Sequence, residues 1–370
     1  MAPQKLPFMS VIVPVYNGAA TIGRALDSLQ NQDYPKNRYE VIAVNDGSTD
    51  DSADVLKART DVRYVELPRN MGIPSAQNAG LAAAKGDIYV NFNDDCQAAP
   101  DFLTQLAKGY AELDKPLGIG GIVVKQAAGH VKGLVANYIE ASGTGAAPGA
   151  GTIGPDFLPG PAKRLLSYLF GNYVSRKRQK IEHHDVDKVV ELYGANASFP
   201  IDKLRAVGGW DVEMAAPAIG GIEDRDVCYR LQQKFPDHHF YAIHSARVVL
   251  EQDPDDTAVS FKTYLLRPYR RGPFNYAFHA KNGLTPPIFP FPLLIVLIVT
   301  ATVFFAPLIA LLELLILPIL CYGWWIQRAI LERRALYVLL PYLQLAEETM
   351  VIAGLLRGMI VHNRKKHAVH

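Results

Sequence analysis

The chain has 370 residues, 49% of them hydrophobic and 20% charged, with 38 Lys and Arg against 36 Asp and Glu. That balance excludes a disordered chain, a disulfide scaffold and a polycation built to neutralise phosphates, so no nucleic-acid partner is expected. The average hides a break, because residues 288 to 326 run 39 positions with one charged side chain, Glu313, while residues 1 to 287 read as an ordinary soluble mixture.

Short β-branched runs alternate with helical patterns through the first 125 residues. A strand is predicted over 8 to 13, then a helix on the spacing of Ile22, Ala25, Leu26 and Leu29. A second strand over 39 to 44 precedes Ser48 as N-cap of a polar helix reaching about Lys57. A third strand spans 62 to 67. Pro74 opens a helix that runs to Lys85 and is closed by Gly86, a fourth strand covers 87 to 92, and a helix covers 101 to 113. Strands alternating with helices predict an α/β fold with a mostly parallel sheet, helices on both faces, and ligands at the carboxyl ends of the strands.

That rule draws attention to the polar residues after each strand: Asn17, Asp46, Asn70 with Gly72, and Asn93-Asp94-Asp95. Read alone, Asn17 and Asn70 are equally well explained as turn residues. Two acids directly after a buried strand are harder to explain as turns. Carboxylates gathered at one sheet edge repel each other, and a divalent cation with a diphosphate resolves the repulsion. The three cysteines, Cys96, Cys228 and Cys321, share no C-x-x-C or metal-ligand spacing, which points to a reducing compartment. Residues 1 to 10 hold one Lys and no apolar signal core, so the soluble part is expected to stay where it is made.

These residues resemble a known family. Pro14-Val15-Tyr16-Asn17, Asn45-Asp46-Gly47-Ser48-Thr49-Asp50, Arg69-Asn70-Met71-Gly72 with Asn78 and Gly80, and Asn93-Asp94-Asp95 are similar to the nucleotide-binding half of family 2 inverting glycosyltransferases with a GT-A fold. Gly194-Ala195-Asn196, Gly208-Gly209-Trp210-Asp211 and Glu223-Asp224-Arg225-Asp226 with Arg230 resemble the acceptor half. The resemblance implies a nucleotide-sugar donor, a UDP-sugar first, with Asp46 on the base and Pro14, Tyr16, Asn17, Arg69, Asn70, Asn78 and Asp94 around it. It implies Mg²⁺ or Mn²⁺ at Asp95, with Asn93 in place of the usual first acid. Asp224 stands where the family keeps its general base, beside Gly209, Trp210, Asp211 and Glu223 on the acceptor side. A carboxylate there can take the proton of an attacking hydroxyl while a metal stabilises the leaving diphosphate, giving single displacement with inversion.

Many relatives carry a His about 25 residues later, where this chain has Leu250; Glu251 or His244 could substitute. His183-His184 and His238-His239 look like metal pairs but are more simply surface residues. Arg267-Pro268-Tyr269-Arg270-Arg271-Gly272 resembles a segment that closes over the diphosphate, with Arg270 and Arg271 as phosphate ligands, and it suits equally a positive-inside membrane flank. The Q-x-x-R-W signature of processive synthases is absent, which favours transfer of one sugar. Residues 142 to 161 read as a Gly-, Ala- and Pro-rich loop, and 161 to 180 as a basic amphipathic segment for a membrane surface.

The expected layout is a GT-A domain over 1–275, with a nucleotide half at 8–125 and a catalytic half at 190–275, followed by a membrane domain over 276–370. As one helix, 39 residues would rise about 58 Å against a hydrocarbon core of roughly 30 Å. A hairpin over 288–326, broken near Pro307, Glu313 and Pro318, places the basic loop at Arg328, Arg333 and Arg334 and the tail at Arg364, Lys365 and Lys366 in the cytosol. Residues 335–361 put Gln344, Glu347 and Glu348 on one face, as an in-plane or re-entrant helix would, with a third crossing as the alternative. The expectation is a multi-pass enzyme with its catalytic domain on the cytoplasmic face, bound to membrane lipids and acting on a lipid-linked acceptor. A processive polysaccharide synthase, a polyprenyl-phosphate sugar synthase and an idle membrane scaffold are the alternatives.

Overall fold

The computed structural model describes residues 6–125, 186–189, 191–192, 194–214, 222–250, 261–286, 290–303, 305–323, 325–326, 330 and 335–368. They form two compact units, one from the described residues up to 250 and one from 261 onward. The segments read as a Gly-rich loop (142 to 161) and a basic surface element (161 to 180), together with His183, His184 and Glu251, lie outside the described residues.

The first unit begins with strand β1 (Met9–Val15), helix α1 (Ile22–Gln30), β2 (Tyr39–Asn45), α2 (Ser52–Lys57), β3 (Arg63–Glu66), α3 (Ile73–Ala83) and β4 (Ile88–Phe92). It continues with β5 (Cys96–Ala98), α4 (Phe102–Glu112), β6 (Pro116–Lys125), β7 (Val186–Val189), β8 (Asn196–Pro200), α5 (Ile201–Ala206), α6 (Glu223–Lys234) and β9 (His239–Leu250). The sheet order is β3-β2-β1-β4-β8-β6-β9-β5, with β7 on β9. β1 to β4 pair in parallel, as the alternating pattern predicts. Beyond β4 the sheet is mixed: β8 runs antiparallel to β4 and β6, while β6 and β9 run parallel.

Alternation along the strands builds a core on each face. Met9, Val11, Val13 and Val15 of β1, with Ile88, Val90 and Phe92 of β4, pack on Ile22, Leu26 and Leu29 of α1 and Phe102 and Leu106 of α4. Ile12 and Tyr89 point the other way, to Ala76 and Leu81 of α3, Leu204 of α5, Trp210, and Val227 and Leu231 of α6. The helix expected to start at Ser48 begins instead at Ser52, because the Ser48 hydroxyl is used elsewhere: its Oγ accepts the Asn17 backbone N–H at 3.0 Å.

The pairing of β8 with β4 positions the site. Asn196 opens β8 opposite Phe92, which ends β4. The turn at Gly194-Ala195 therefore sits at the strand edge where Asn93-Asp94-Asp95 leaves the sheet, beside the ends of β1 and β2, in register at Val15 and Asn45.

The second unit comprises α7 (Phe261–Lys281), α8 (Pro290–Val303), α9 (Pro307–Cys321) and α10 (Leu340–Ala368). The expected domain division at 275 falls within α7. α8 and α9 pack as the expected hairpin, with Thr302 Oγ1 donating to Glu313 Oε1 at 3.1 Å. Both are short apolar helices, and only the helix over Tyr337–Asn363 is long and apolar enough to cross a membrane among the described residues. The multi-pass expectation is not supported among the described residues, where 14 and 15 residues rise only about 21 and 22 Å. The polar face of α10 is likewise turned inward. Gln344 accepts from Trp325 Nε1 and Glu348 from the Tyr322 hydroxyl, each at 2.6 Å, and both residues are buried.

Candidate active site

Residues 16 to 19 follow β1 and are pinned by successive backbone N–H groups. Tyr16 N–H bonds the Asp94 carboxylate. Asn17 N–H goes to Ser48 Oγ, Gly18 N–H to Ser52 Oγ at 2.9 Å, and Ala19 N–H to Asp50 Oδ2 at 3.1 Å. Asn17 sits at φ 54°, and its Oδ1 accepts from Thr49 N–H at 2.8 Å and from the Thr49 hydroxyl at 3.2 Å. Asparagine tolerates this left-handed conformation better than most residues. The loop after β1 is thus stitched to the loop after β2, with Pro14 partly buried and Tyr16 and Asn17 exposed beside it.

Asp46 is buried at the end of β2, and its carboxylate organises a third loop. Oδ1 accepts from Met71 N–H at 2.7 Å and Oδ2 from Gly72 N–H at 2.8 Å. Burial raises its pKa, and the two N–H bonds oppose that rise. Asn70 Oδ1 also accepts from Gly72 N–H, at 3.1 Å, and Arg69 and Asn70 face solvent. Gly47 has φ +67°, and a Cβ there would lie 2.4 Å from the Arg69 carbonyl carbon, so the loop closes against position 47 only because it is glycine.

Asp94 and Asp95 follow β4. A Cβ on Gly18 would lie 2.3 Å from Asp94 Oδ2, so the carboxylate occupies the space that the missing side chain leaves. Desolvation, with the charge of Asp95 next, pushes the Asp94 pKa up to about 7 against the opposing Tyr16 N–H bond, and Asp50 adds a smaller push. The same surroundings hold Cys96 as a thiol, with its Sγ 3.6 Å from Asp95 Oδ1. A carboxylate raised by burial and by the charge of a neighbouring carboxylate is what a divalent cation would relieve. Among the described residues no three His, Cys, Asp or Glu side chains form a ready cage. Mg²⁺ and Mn²⁺ need no such cage where one or two carboxylates share them with substrate phosphates, so Asp94 and Asp95 fit the metal that the family resemblance implies.

Asp224 lies in the first turn of α6. Its Oδ2 accepts from Gly194 N–H at 2.9 Å, and a Cβ on Gly194 would lie 2.5 Å from that oxygen. Asn91 of β4 donates to the Gly194 carbonyl at 2.6 Å, tying the turn to the strand that leads to Asp94. Asp224 therefore reaches the same sheet edge as Asp94 and Asp95, from the opposite half of the domain. Its charge adds to burial in raising the Tyr89 and Cys228 pKa values. Next to it, Glu223 is buried, Arg225 pairs with Glu191 at 2.9 Å, and Asp226 pairs with Arg230 at 2.7 Å.

Several expected site residues are engaged with the protein's own backbone and rings. Asn78 donates from Nδ2 to the Trp210 carbonyl at 2.8 Å and accepts the Trp210 N–H at 2.9 Å, so its amide is committed to the backbone at Trp210. The Trp210 ring is buried against Tyr89, 4.7 Å between centroids, and Phe199. Gly209 is left-handed against Asn78, and Asp211 Oδ1 accepts from Glu213 N–H at 3.0 Å. His244 pairs with Asp187 at 3.0 Å. Arg270 and Arg271 lie on α7 in the second unit. Sequence reasoning passed over Gly18, Ser52 and Asn91; the first could have been found from the need for a small residue where a carboxylate packs on a loop.

Residues 10–158 match the family model of glycosyl transferase family 2. The chain is 31% identical over 127 residues to a dolichyl N-acetyl-alpha-D-glucosaminyl phosphate 3-beta-D-2,3-diacetamido-2,3-dideoxy-beta-D-glucuronosyltransferase of Methanococcus voltae, covering 32% of this chain and 40% of the relative. It is 32% identical over 114 residues to an undecaprenyl-phosphate 4-deoxy-4-formamido-L-arabinose transferase of Pseudomonas syringae, covering 29% and 34%. The matched stretch thus spans well under half of either relative. In three dimensions the chain is similar to a mannosyltransferase from Pyrobaculum calidifontis solved with GDP-Man and Mn²⁺, with a TM-score of 0.53 and 20% identity over 96% of this chain and 88% of that one. Residues 10–158 are thus a glycosyl transferase family 2 match, and the fold is of the GT-A type.

Proposed function

We propose that the protein is a membrane-associated inverting glycosyltransferase that moves one sugar from a nucleotide-diphosphate sugar to a lipid-linked acceptor. The observation that carries this reading is the meeting of Asp94 and Asp95 with Asp224 at one sheet edge, brought from two halves of the domain by the β4–β8 pairing. Asp94 and Asp95 would hold Mg²⁺ or Mn²⁺, which when bound supplies positive charge against the leaving diphosphate. The stitched loop at residues 16 to 19 and the Asp46-held loop at 69 to 72 form the floor and wall for the nucleoside. Asp224, held by Gly194 N–H at 2.9 Å, would take the proton of the acceptor hydroxyl. A base on the acceptor side and a leaving group at Asp94 and Asp95 imply in-line attack, hence inversion. The lipid acceptor is supported by the apolar second unit and by the two relatives named for dolichyl and undecaprenyl-phosphate substrates.

The test is transfer by detergent-purified protein from a panel of nucleotide-sugars, UDP-sugars first, to a membrane lipid extract, with and without Mn²⁺. Metal-dependent appearance of sugar in the lipid fraction is expected, with a fall of about 10²-fold or more for Asp224→Asn at retained donor binding. Donor binding that ignores both metal and Asp95→Ala would overturn the enzymatic reading and leave a scaffold.

A further inference from the structure

The helix long enough to cross a membrane has a companion that cannot accompany it. Within the second unit, α7 and α10 pack side by side more extensively than any other pair of elements among the described residues. A Cβ on Gly272 of α7 would lie 2.0 Å from the Gly354 carbonyl carbon of α10, so the two backbones touch. One turn further along both helices, Gly358 meets Pro273 and Tyr276. Tyr276 in turn lies 5.7 Å, ring to ring, from His362. Contacts that advance together mean that the helices run in the same direction, level with each other.

That register decides the topology. α7 carries Lys262, Arg267, Arg270, Arg271 and Lys281 and no acid. If α10 stood across a bilayer, Arg270 and Arg271, just before Gly272, would lie level with residues 352 and 353. That is about 15 Å inside the end of the apolar stretch at Asn363, at 1.5 Å per residue. Arginine at mid-hydrocarbon is the least favourable placement there is, and a backbone-to-backbone contact leaves α7 no room to slide outward. Laid flat, the same pair has a basic helix beside an apolar one, which is the composition of an interfacial element on anionic lipid. Leu356, Met359 and Ile360 leave α10 an exposed apolar surface, and Arg357 lies over the Tyr269 ring of α7 at 5.2 Å.

The α8–α9 hairpin agrees. Its tip reads Thr302-Val303-Phe304-Phe305-Ala306-Pro307 without a charge, and Phe305 is 90% exposed. A crossing hairpin must present its turn to water, whereas this tip suits hydrocarbon.

We infer that the second unit seats the chain in one anionic leaflet without crossing the bilayer, with α7 and α10 flat in the interface and the α8–α9 hairpin dipping into the acyl chains. This rests on the membrane association proposed above and is independent of which sugar is moved.

Site-specific labelling with a membrane-impermeant maleimide tests it, in full-length protein carrying Cys321→Ser, on right-side-out and inside-out bacterial vesicles. Three single replacements report: Glu112→Cys on the exposed end of α4, Phe305→Cys at the hairpin tip and His370→Cys at the terminus. Glu112→Cys and His370→Cys should label from the same face only, and Phe305→Cys from neither face until detergent is added. Labelling of His370→Cys from the face opposite Glu112→Cys would show that α10 crosses. Labelling of Phe305→Cys from that opposite face would show that the hairpin crosses. Either overturns the inference while leaving the enzymatic reading intact. Recovery of the chain in the soluble fraction as a dimer would assign the apolar face to a second copy and would also overturn it. Protease protection of a C-terminal epitope on the otherwise unaltered chain checks the terminus without the cysteine replacements.

Discussion

Asp94 and Asp46 are both buried carboxylates at strand ends, and their surroundings give them different work. Asp46 spends its oxygens on two N–H groups of a distant loop, while Asp94 accepts from its own N–H and that of Tyr16 and faces the charge of Asp95. The pKa of Asp94 is raised from 3.8 to about 7, so between those values the folded chain keeps a proton that the unfolded chain has released. Its contribution to stability therefore falls as pH rises through that window. A divalent cation offsets the loss where the carboxylates are ionised. Thermal melts should accordingly show a larger Mn²⁺ stabilisation at about pH 8 than at about pH 5.5, with the difference much reduced in Asp94→Asn. The order of these acids along the chain was legible from the sequence, since each directly follows a β-branched run. The commitment of Asn78 was not, because its partner lies 132 residues away and no local pattern encodes that distance. Asn78→Ala removes both bonds to Trp210 and leaves a partly buried N–H and C=O unmet. A loss of about 2 kcal/mol is expected in denaturant unfolding, with donor binding weakened less than stability.

Among the elements, β1 to β4 and α1 to α4 are readable because each carries its own period and its own punctuation, such as Gly72 before α3 and Pro74 in its first turn. β6, β8 and β9 escape such reading: parallel and antiparallel partners place the same demands on a buried strand, and direction is set by long-range pairing. α10 was read as polar on a face that the fold turns inward, where Trp325 and Tyr322 supply donors that periodicity cannot show. Those bonds invite a paired test. Tyr322→Phe deprives the buried Glu348 of its donor and should lower the melting temperature in detergent, at a cost of about 1–3 kcal/mol. Glu348→Gln keeps an acceptor for the hydroxyl and should cost less. Equal losses would mean that the ring packing, and not the hydrogen bond, secures this corner.

For the molecule as a whole, composition breaks at residue 288 but contact divides the chain near 257, because α7 is polar in sequence and belongs by packing to the apolar unit. A chain ended at residue 257 should therefore stay in solution without detergent and still bind nucleotide with a divalent cation, while transfer to lipid is lost. Dependence of that shortened chain on detergent would show that the first unit has an apolar surface of its own.

The turn after β1 already has the backbone N–H groups of residues 16 to 19 spoken for, and its one left-handed residue is anchored by Thr49. On the proposed function, a donor arriving there would meet a finished surface, so little chain entropy would be surrendered on that side. Preorganisation of this kind leaves the discrimination between donors to shape and charge already in place, and makes weakened affinity the expected result of any replacement that lets residues 16 to 19 wander.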